Sequence, residues 1–445
     1  MKELLDNIRE KKTTIGVMGL GYVGLPLALS FAKIFKVIGY EPNQSIVNNL
    51  RRGKSHIMDI SDKEIQTFLG RSFIASADES VIGDCDFILI CVPTPLIYEK
   101  EPDLSYIEKC TETIARFLRK GQFIILESTT YPGTTREVVV PILERTGLKV
   151  GVDFGAAYSQ ERIDPGNKVH TLENVPKVVG GINPECTEIA AALYGSIIPT
   201  IIKVRDCDTA EACKLLENIF RSVNIALVNE MALIFEKMGI DTWEVIKAAS
   251  TKPYGFMPFY PGPGIGGHCI PLDPYYLAYK ARRFGIFPRF IELAGDINDF
   301  MRIHAVNLVE KALRKVGKEI SNSNIAVMGL SYKKEINDSR EAPSKHIIEE
   351  LIKLGAKIKV YDPYVESTDT KVGVFTREAS LDITLKNTDC ALFLVDHDCF
   401  FDLKPQYFKS LMVRPIVVDC RNIFDWKDLD GVLYVAIGKP NFNLQ

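Results

Sequence analysis

The passage Tyr260–Tyr275 (YPGPGIGGHCIPLDPY) combines glycines, prolines, one thiol and one carboxylate. Its glycines, Gly262, Gly264, Gly266 and Gly267, leave the main chain open to close approach by a ligand. Cys269 follows, and Pro271 suits the first turn of a helix in PLDPYYLAYKARRF. A helix N-terminus favours thiolate, the nucleophilic form of a cysteine. The passage therefore predicts a nucleophilic Cys269, with Asp273 close enough to hold a water or a proton.

The same two residues also have an ordinary interpretation. A lone cysteine is most often a small buried residue, and an aspartate in the first turn of a helix is most often a cap. The choice between the interpretations depends on the rest of the chain.

A second candidate site lies near the start of the chain. The apolar run Thr13–Met18 leads into Gly19–Gly24 (GLGYVG) and then into the helical pattern LPLALSFAKIF. Strand, glycine turn and helix in this order are typical of dinucleotide binding, with phosphates at the helix N-terminus. The next strand, Lys36–Tyr40, ends in Glu41, where an acid is expected to bind the ribose 2′-OH. We expect an NAD site formed by Gly19, Gly21, Tyr22, Val23, Gly24 and Glu41.

Composition excludes several classes of protein. The 445 residues are 46% hydrophobic and 25% charged with a net charge of −3, as in a soluble protein of two or three domains. This charge gives no electrostatic footprint for nucleic acid or membrane, and no apolar run reaches the ~18 residues of a membrane span. The N-terminus lacks the apolar core of a signal peptide, so we expect a cytoplasmic protein. The ten cysteines, without CxxC spacing, indicate reduced thiols and no metal site.

Further strand patterns, at Phe87–Val92, Phe123–Leu126 and Val150–Ala157, alternate with helical or turn segments. This alternation predicts a parallel, doubly wound sheet, in which ligands bind beyond the C-terminal ends of strands. The polar segments expected there contain Thr94, Thr129, Gln160, Glu161 and Arg162. We therefore expect these segments to contact the cofactor or the substrate.

A long helical pattern begins near Asp206, with Asp208 or Thr209 as its predicted cap. Its apolar residues at helical spacing are Ala212, Leu216, Ile219, Val223, Leu227, Met231 and Ile234. The length indicates a spine between two lobes that also pairs with a second subunit. Lys214 and Asn218 share one face, which is either a functional face or a solvent-exposed one.

The segment Gly317–Asn324 indicates a boundary, after which Ile325–Leu330 restarts a strand that ends in a glycine turn. The third glycine is missing from this turn, so we expect a nucleotide or nucleotide-sugar contact there in place of a second dinucleotide. Lys333 and Arg340 are placed to meet phosphates. The predicted fold is α/β, with two doubly wound Rossmann-like domains, an NAD-binding one at residues 1–205 and a UDP-sugar-binding one at residues 317–445. They are joined through a central helical domain, residues 206–316, which contains the long helix and the Cys269 loop.

In this order, the motifs resemble those of the UDP-glucose/GDP-mannose dehydrogenase family over nearly the whole chain. GPGIGGHCIPLDP and ERIDPG carry the resemblance, and TKPYGFMPFYPGPGIGGHCIP is similar to the branch that oxidises UDP-N-acetylglucosamine to the uronic acid for surface polysaccharides. The resemblance implies NAD-dependent oxidation of the C6 alcohol to a carboxylate without release of the aldehyde, in a homodimer formed through the central helix.

The resemblance also implies residue roles. Cys269 would form a thiohemiacetal and then a thioester, Lys214 and Asn218 would stabilise the oxyanion, and Asp273, Glu161 and Thr129 would manage water and protons. Thr94, Thr129 and Arg340 would join the cofactor contacts. The substrate contacts would be Glu161, Arg162, Lys214, Asn218, Tyr260, Gly266, Lys333 and Arg421.

Two departures from the family pattern bear on the substrate. Leu272 stands where UDP-glucose members carry lysine, and SQERIDPG replaces the commoner SPERINPG, which leaves the role of Gln160 open. The alternative sugars are UDP-N-acetylgalactosamine, UDP-N-acetylmannosamine and UDP-glucose. Two other functions stay open at this point: a single-step NAD-dependent hydroxyacid dehydrogenase, which needs no thiol, and a catalytically silent nucleotide-binding regulator.

Overall fold

A computed structural model describes residues 2–97, 100–162, 167, 169–426 and 428–440. The chain forms two compact units, each built as α/β structure around a mainly parallel sheet. The first unit contains Met1–Glu217 and Tyr275–Phe287, and the second contains Asn218–Pro274 and Pro288–Gln445.

The first unit is built on an eight-stranded sheet in the order β10-β9-β8-β7-β4-β1-β2-β3. Its strands are β1 Thr14–Met18, β2 Lys36–Tyr40, β3 Phe73–Ser76, β4 Phe87–Ile90, β7 Phe123–Leu126, β8 Gly155–Ser159, β9 Lys177–Gly181 and β10 Ile201–Lys203, and a small hairpin adds β5 Leu96–Ile97 and β6 Glu101–Pro102. Its helices are α1 Lys2–Arg9, α2 Gly24–Ala32, α3 Gln44–Arg51, α4 Asp62–Phe68, α5 Ser105–Phe117, α6 Val140–Glu144 and α7 Pro184–Tyr194, with short 3₁₀ and π turns at Glu79–Asp84 and Thr135–Val139.

Neighbouring strands of this sheet are parallel except β8 and β9, which are antiparallel. Both faces of the central strands are buried, as in β4, where Phe87 and Leu89 join one apolar cluster and Ile88 and Ile90 join another. The predicted strand Val150–Ala157 was placed too early, because its first residues fold into a turn. In that turn Gly151 has φ +75° and its amide bonds the carbonyl of Phe154 at 2.7 Å.

The second unit contains a five-stranded parallel sheet in the order β12-β11-β15-β16-β17 and a separate hairpin. Its strands are β11 Asn324–Met328, β12 Lys357–Tyr361, β13 Ser367–Thr370, β14 Gly373–Thr376, β15 Cys390–Phe393, β16 Ile416–Asp419 and β17 Leu433–Ala436. The remaining helices of the chain are α8 Cys207–Met238, α9 Thr242–Ala249, α10 Asp273–Arg282, α11 Arg289–Lys315, α12 Pro343–Lys353, α13 Leu381–Leu385 and α14 Pro405–Leu411, with 3₁₀ turns at Ile320–Asn322 and Asp398–Phe400.

Helix α8 begins in the first unit and ends in the second. Its cap is Asp206, whose Oδ1 accepts the Thr209 amide at 2.8 Å, so the predicted cap at Asp208 or Thr209 is wrong by two or three residues. None of the seven predicted apolar positions of this helix is buried. The buried face instead carries polar residues, among them Glu211, Lys214, Asn218 and Asn229, each of which makes a hydrogen bond. The same face also buries the apolar side chains of Leu215, Ala226 and Ala232.

Candidate active site

The glycine turn after β1 has the geometry that a pyrophosphate needs. Gly19 has φ +93°, a left-handed conformation that strains other residues. A Cβ at Gly24 would lie 1.9 Å from the carbonyl of Gly19, so only glycine lets α2 pack this closely. A Cβ at Gly21 would meet nothing within 4 Å, which leaves its backbone approachable beside Tyr22 and Val23. The turn and the N-terminus of α2 fit a bound dinucleotide.

Glu41 is held beside this turn at the end of β2. Its Oε2 accepts the amide of Leu20 and its Oε1 accepts the amide of Asn43, both at 3.1 Å. The side chain is half-buried rather than enclosed. A carboxylate fixed in this way fits the ribose diol of NAD.

Thr94 and Thr129 are brought together beyond the ends of β4 and β7. The Thr94 hydroxyl donates to the carbonyl of Thr129 at 2.8 Å, and the Tyr276 hydroxyl donates to the carbonyl of Thr94. Buried Glu211 of α8 holds the same loop by accepting the Gly133 amide at 2.5 Å. Burial raises the pKa of Glu211 to about 7, although the bonds from Thr135 and Gly133 act in the opposite direction.

Lys214 lies against the segment that follows β8. Its Nζ donates to the carbonyl of Glu161 at 2.6 Å, and the lysine is almost fully buried. Lys214 therefore presents its ammonium beside Glu161, and the interpretation of its helix face as solvent-exposed is wrong.

Arg162 is engaged within the protein. Its Nη1 donates to the carbonyl of Pro176 at 2.6 Å and its Nη2 donates to Glu217. Fully buried Gln160 donates to the same Glu217 carboxylate at 3.0 Å, so the unusual glutamine helps to anchor the partner of Arg162. Residues 163–166 of the ERIDPG motif lie outside the described residues.

In the second unit the thiol residue and the carboxylate share one turn. The carbonyl of Cys269 accepts the amides of Leu272 at 3.0 Å and Asp273 at 2.8 Å, and α10 begins at Asp273. The thiol thus precedes the helix by one turn, as predicted from Pro271. The buried Asp273 carboxylate accepts a hydrogen bond from Nδ2 of Asn218 at 2.5 Å. The structure therefore brings Cys269, Asp273 and Asn218 together.

Several glycines of the passage are required by the protein's own contacts. A Cβ at Gly262 would lie 2.7 Å from Nη1 of Arg421, and a Cβ at Gly266 would lie 2.7 Å from Cβ of Tyr332. Gly267 has φ +86° and faces the Tyr332 ring. A Cβ at Gly264 would likewise lie 3.0 Å from the carbonyl oxygen of Asn298. The sequence assigned these four glycines to ligand approach, but all four let other parts of the second unit pack against the passage.

The other predicted residues of the second unit surround the same passage. Arg421 donates from Nε to the carbonyl of Leu394 at 3.1 Å, and Lys333 follows the tyrosine that packs on Gly266. Tyr260 stacks on Trp243 with 5.6 Å between ring centroids and remains half-exposed. Arg340, predicted among the cofactor contacts, forms a bidentate pair with Asp338, and its carbonyl accepts the Gly267 amide at 3.3 Å. Arg340 therefore belongs to the surroundings of the thiol passage.

The second glycine turn, after β11, uses its acid internally. Oδ2 of Asp362 accepts the amides of Leu330 at 2.7 Å and Ser331 at 3.0 Å and lies 3.1 Å from Nε2 of His397. Burial alone would raise the pKa of Asp362, but the His397 contact and the backbone bonds lower it to about 2. This carboxylate has no room for a ribose diol, in contrast to Glu41.

Sequence reasoning missed one cluster in the first unit, where Lys177 lies between Glu127 and Glu161. Neither Lys177 nor Glu127 belongs to a recognised motif, and their proximity depends on the pairing of β8 with β9. Across the described ranges, no group of three or more His, Cys, Asp or Glu side chains is arranged to hold a metal. Likewise, no described helix is long and apolar enough to span a membrane.

Comparison with known proteins relates three consecutive parts of the chain to one family. Residues 13–198 match the NAD binding domain of the UDP-glucose/GDP-mannose dehydrogenase family. Residues 208–300 match its central domain, and residues 326–426 match its UDP binding domain.

Individual proteins show the same similarity. The chain is 39% identical to Protein CapL of Staphylococcus aureus over 93% of this chain and 96% of that protein. It is 40% identical to the UDP-N-acetyl-D-glucosamine 6-dehydrogenase of Pseudomonas aeruginosa over 81% and 85% of the two chains. The solved structure of UDP-D-ManNAc dehydrogenase from Pyrococcus horikoshii is 33% identical and covers 96% of this chain and 100% of its own, with a TM-score of 0.89.

Proposed function

The chain belongs to the UDP-glucose/GDP-mannose dehydrogenase family, and we propose that it oxidises the C6 hydroxyl of a UDP-N-acetylhexosamine, most favourably UDP-N-acetylglucosamine, to the carboxylate. It is an NAD-dependent UDP-sugar dehydrogenase. When bound, NAD accepts a hydride from C6 in each of two oxidations. The products are a uronate destined for surface polysaccharide and two NADH for each sugar.

The observation that carries this proposal is the joint placement of Cys269, Asp273 and Asn218. After the first oxidation, the Cys269 thiolate adds to the aldehyde carbon and forms a C–S bond, and the oxyanion takes a proton to give the thiohemiacetal. The second oxidation converts this adduct to a thioester. Water then adds to the thioester carbonyl, the C–S bond breaks, and the uronate leaves while the thiol is restored.

The remaining residues hold charge and protons during these steps. Asp273 accepts the proton of the attacking water, since its carboxylate lies one turn from the thiol and is oriented by Asn218. Lys214 supplies positive charge to the developing oxyanion from its position on the Glu161 carbonyl. Thr129 and Glu161 manage protons and water, in line with their implied roles.

The choice of sugar rests on two kinds of support. Leu272 replaces the lysine of UDP-glucose members, and the similar proteins are named for both UDP-N-acetylglucosamine and UDP-N-acetylmannosamine. A site that hydrogen-bonds the acetamido group should reject glucose strongly, because its own polar groups would be left unpaired. We place UDP-N-acetylglucosamine first, followed by its mannosamine and galactosamine epimers.

NADH formation with a panel of UDP-sugars at saturating NAD tests the proposal. We expect the highest kcat/KM with UDP-N-acetylglucosamine. A higher kcat/KM with UDP-glucose would contradict the branch assignment while leaving the family and the thiol chemistry intact. If UDP-N-acetylmannosamine or UDP-N-acetylgalactosamine gave the highest kcat/KM, only the identity of the preferred sugar would change.

We also propose that the protein acts as a homodimer in the cytoplasm. Helices α8 and α11 expose large apolar side chains within the second unit, and surfaces of this kind mark association sites. The exposed residues are Phe220, Leu227, Ile234, Met238, Phe290, Leu293, Phe300 and Ile303.

We further propose that the chain is divided by function at residues 205 and 316. The first segment would bind the cofactor, the second would carry the thiol, and the third would bind the nucleotide sugar.

A further inference from the structure

A buried cluster around Glu161 in the first unit contains three residues, Lys177, Glu127 and Tyr194, that have no part in the chemistry described above. Lys177, at the start of β9, donates from Nζ to Oε2 of Glu127 at 2.8 Å and lies 3.5 Å from Oε2 of Glu161. The Tyr194 hydroxyl donates to the other oxygen of Glu127, and Lys177 Nζ lies 4.9 Å from the centre of the Tyr194 ring. The Lys177 side chain is 4% exposed and that of Glu127 is 0% exposed.

The cluster exists because one strand pair of the sheet is antiparallel. β8 and β9 set Ser159 opposite Val179, and continuing this register by two residues sets Glu161 beside Lys177. β7, parallel to β8, ends at Leu126 opposite Tyr158 and so brings Glu127 to the same edge. In a fully parallel sheet, Lys177 would begin its strand at the opposite edge.

The two carboxyl groups of the cluster lie in different surroundings. Glu127 is bonded by Lys177 and Tyr194, whereas Glu161 also accepts the amide of Arg162 and lies beside the ammonium of Lys214. Burial raises the pKa of Glu127 to about 7, with Lys177 lowering it and Glu161 raising it. Burial also holds the pKa of each of two neighbours, Tyr194 and Cys91, well above its ordinary value. Glu127 therefore carries a proton below about pH 7 and loses it above that pH.

A purely structural role accounts poorly for this arrangement, because apolar residues of similar volume often fill such a space at equal or better stability. An apolar side chain in place of Lys177 could not form an ion pair with the carboxylate of Glu161. The carbonyl of that same residue receives Lys214 Nζ at 2.6 Å. A continuous series of contacts thus runs from Tyr194 through Glu127, Lys177 and Glu161 to Lys214.

We propose that Lys177 and Glu127 are positioning residues: the ammonium of Lys177, anchored by Glu127, holds the Glu161 carboxylate and thereby places the Glu161 carbonyl that orients Lys214. The expected effect on catalysis rests on the proposed function of Lys214 and Glu161. The expected effect on the positions of Glu161 and Lys214 does not depend on that function.

Kinetic variants test the catalytic consequence. Lys177→Met removes the ion pair with Glu161. If Lys214 is thereby displaced by roughly 1 Å, we expect kcat to fall about 100-fold, with little change in the KM for NAD. Lys177→Arg, which keeps the charge, should restore part of the loss. Lys203→Met is the matched control, because Lys203 is an exposed lysine on the edge strand β10 that pairs with Glu188, and it should behave as wild type.

Glu127→Gln separates positioning from simple packing. The amide keeps the shape and a hydrogen-bond acceptor but cannot lose a proton. Wild type should show an inflection in kcat/KM near pH 7 that Glu127→Gln lacks, and Tyr194→Phe should shift the inflection by removing the hydroxyl bound to Glu127. If Lys177→Met fails to fold, the pH profile of Glu127→Gln still tests the proposal.

A crystal structure of Lys177→Met, or of Glu127→Gln in its place, tests the geometric consequence without any substrate. Displacement of the Glu161 carboxylate with loss of the Lys214 contact supports the proposal. Wild-type kcat and pH profile in both Lys177→Met and Glu127→Gln, or an unchanged Lys214 contact in the crystal, would overturn it. If wild type forms no NADH with any UDP-sugar, the proposed function fails, and the crystal structure still decides the positioning.

Discussion

Asn218 donates a hydrogen bond from Nδ2 to Oδ2 of Asp273 over 2.5 Å, and this bond ties helix α8 to the turn that carries Cys269. Both side chains are buried. The bond therefore fixes the orientation of the Asp273 carboxylate beside the turn that carries the thiol. Asp273 was predicted from the thiol passage and Asn218 from the long helix, and this hydrogen bond joins the two.

Replacing Asp273 by asparagine removes the acceptor for the proton of the hydrolytic water. We expect thioester hydrolysis to slow by about 10²- to 10⁴-fold, the usual contribution of a general base. Intact-mass spectrometry during turnover should then show a sugar adduct on Cys269. Asp369→Asn, at a side chain that is 87% exposed, is the control. Wild-type turnover in Asp273→Asn would remove this residue from the hydrolytic step.

Glu41 should select NAD against NADP. Its carboxylate, held by the amides of Leu20 and Asn43, would repel a 2′-phosphate, and like-charge contacts cost several kcal/mol. We expect kcat/KM for NAD to exceed that for NADP about a hundredfold or more, and Glu41→Gln to narrow the difference. Comparable efficiencies for the two cofactors in the wild-type enzyme would refute the role of Glu41.

The buried carboxyl of Glu211 makes stability depend on pH. In the folded protein its pKa is raised to about 7 from an ordinary 4.5, so the folded state keeps a proton that the unfolded chain releases. This contribution to stability is complete below about pH 4.5 and is lost as the pH rises to about 7. Between these pH values the free energy of unfolding falls by about 1.4 kcal/mol for each pH unit.

Urea unfolding of wild type and Glu211→Gln at several pH values between 4.5 and 8 measures that contribution. The difference in unfolding free energy between the two proteins should change across the interval below pH 7 and level off above it. A difference that is constant with pH would show that Glu211 ionises normally in the folded protein.

Much of the fold follows from local sequence patterns. β1, the glycine turn and Glu41 are close in sequence, so their arrangement depends on one strand, one turn and one helix. The prediction that Lys214 and Asn218 share a face required only the helical repeat. The family and its cofactor were likewise recognisable, because the motifs that carry them are contiguous.

Other features depend on contacts between distant segments. The role of Lys177 depends on the antiparallel pairing of β8 with β9 inside a parallel sheet, which no local pattern reveals. The polar residues that α8 buries depend on hydrogen bonds to distant groups, such as the bond that Asn229 accepts from the Gly262 amide. The contact of Asp362 with His397 likewise joins residues 35 positions apart, which no local pattern reveals.

The exposed apolar residues of α8 and α11 should be covered by a second copy of the chain. Leu227 is 51% exposed and Phe300 is 42% exposed. Leu227→Glu combined with Phe300→Glu should convert a dimer into a monomer in sedimentation equilibrium, because buried unpaired charges oppose association. Lys311→Glu, a surface charge change on α11, is the control. A double variant that sediments like wild type would exclude this surface as the interface.

The central claim is a four-electron oxidation that passes through a covalent bond to Cys269, and the ratio of NADH to uronate tests it most directly. Because a tethered intermediate cannot diffuse away between oxidations, we expect two NADH for each uronate from the earliest time points, with no aldehyde trapped by a carbonyl reagent. Cys269→Ala should bind NAD as wild type does and form no uronate. One NADH per product with free aldehyde in solution, or uronate formation by Cys269→Ala at the wild-type rate, would contradict the claim.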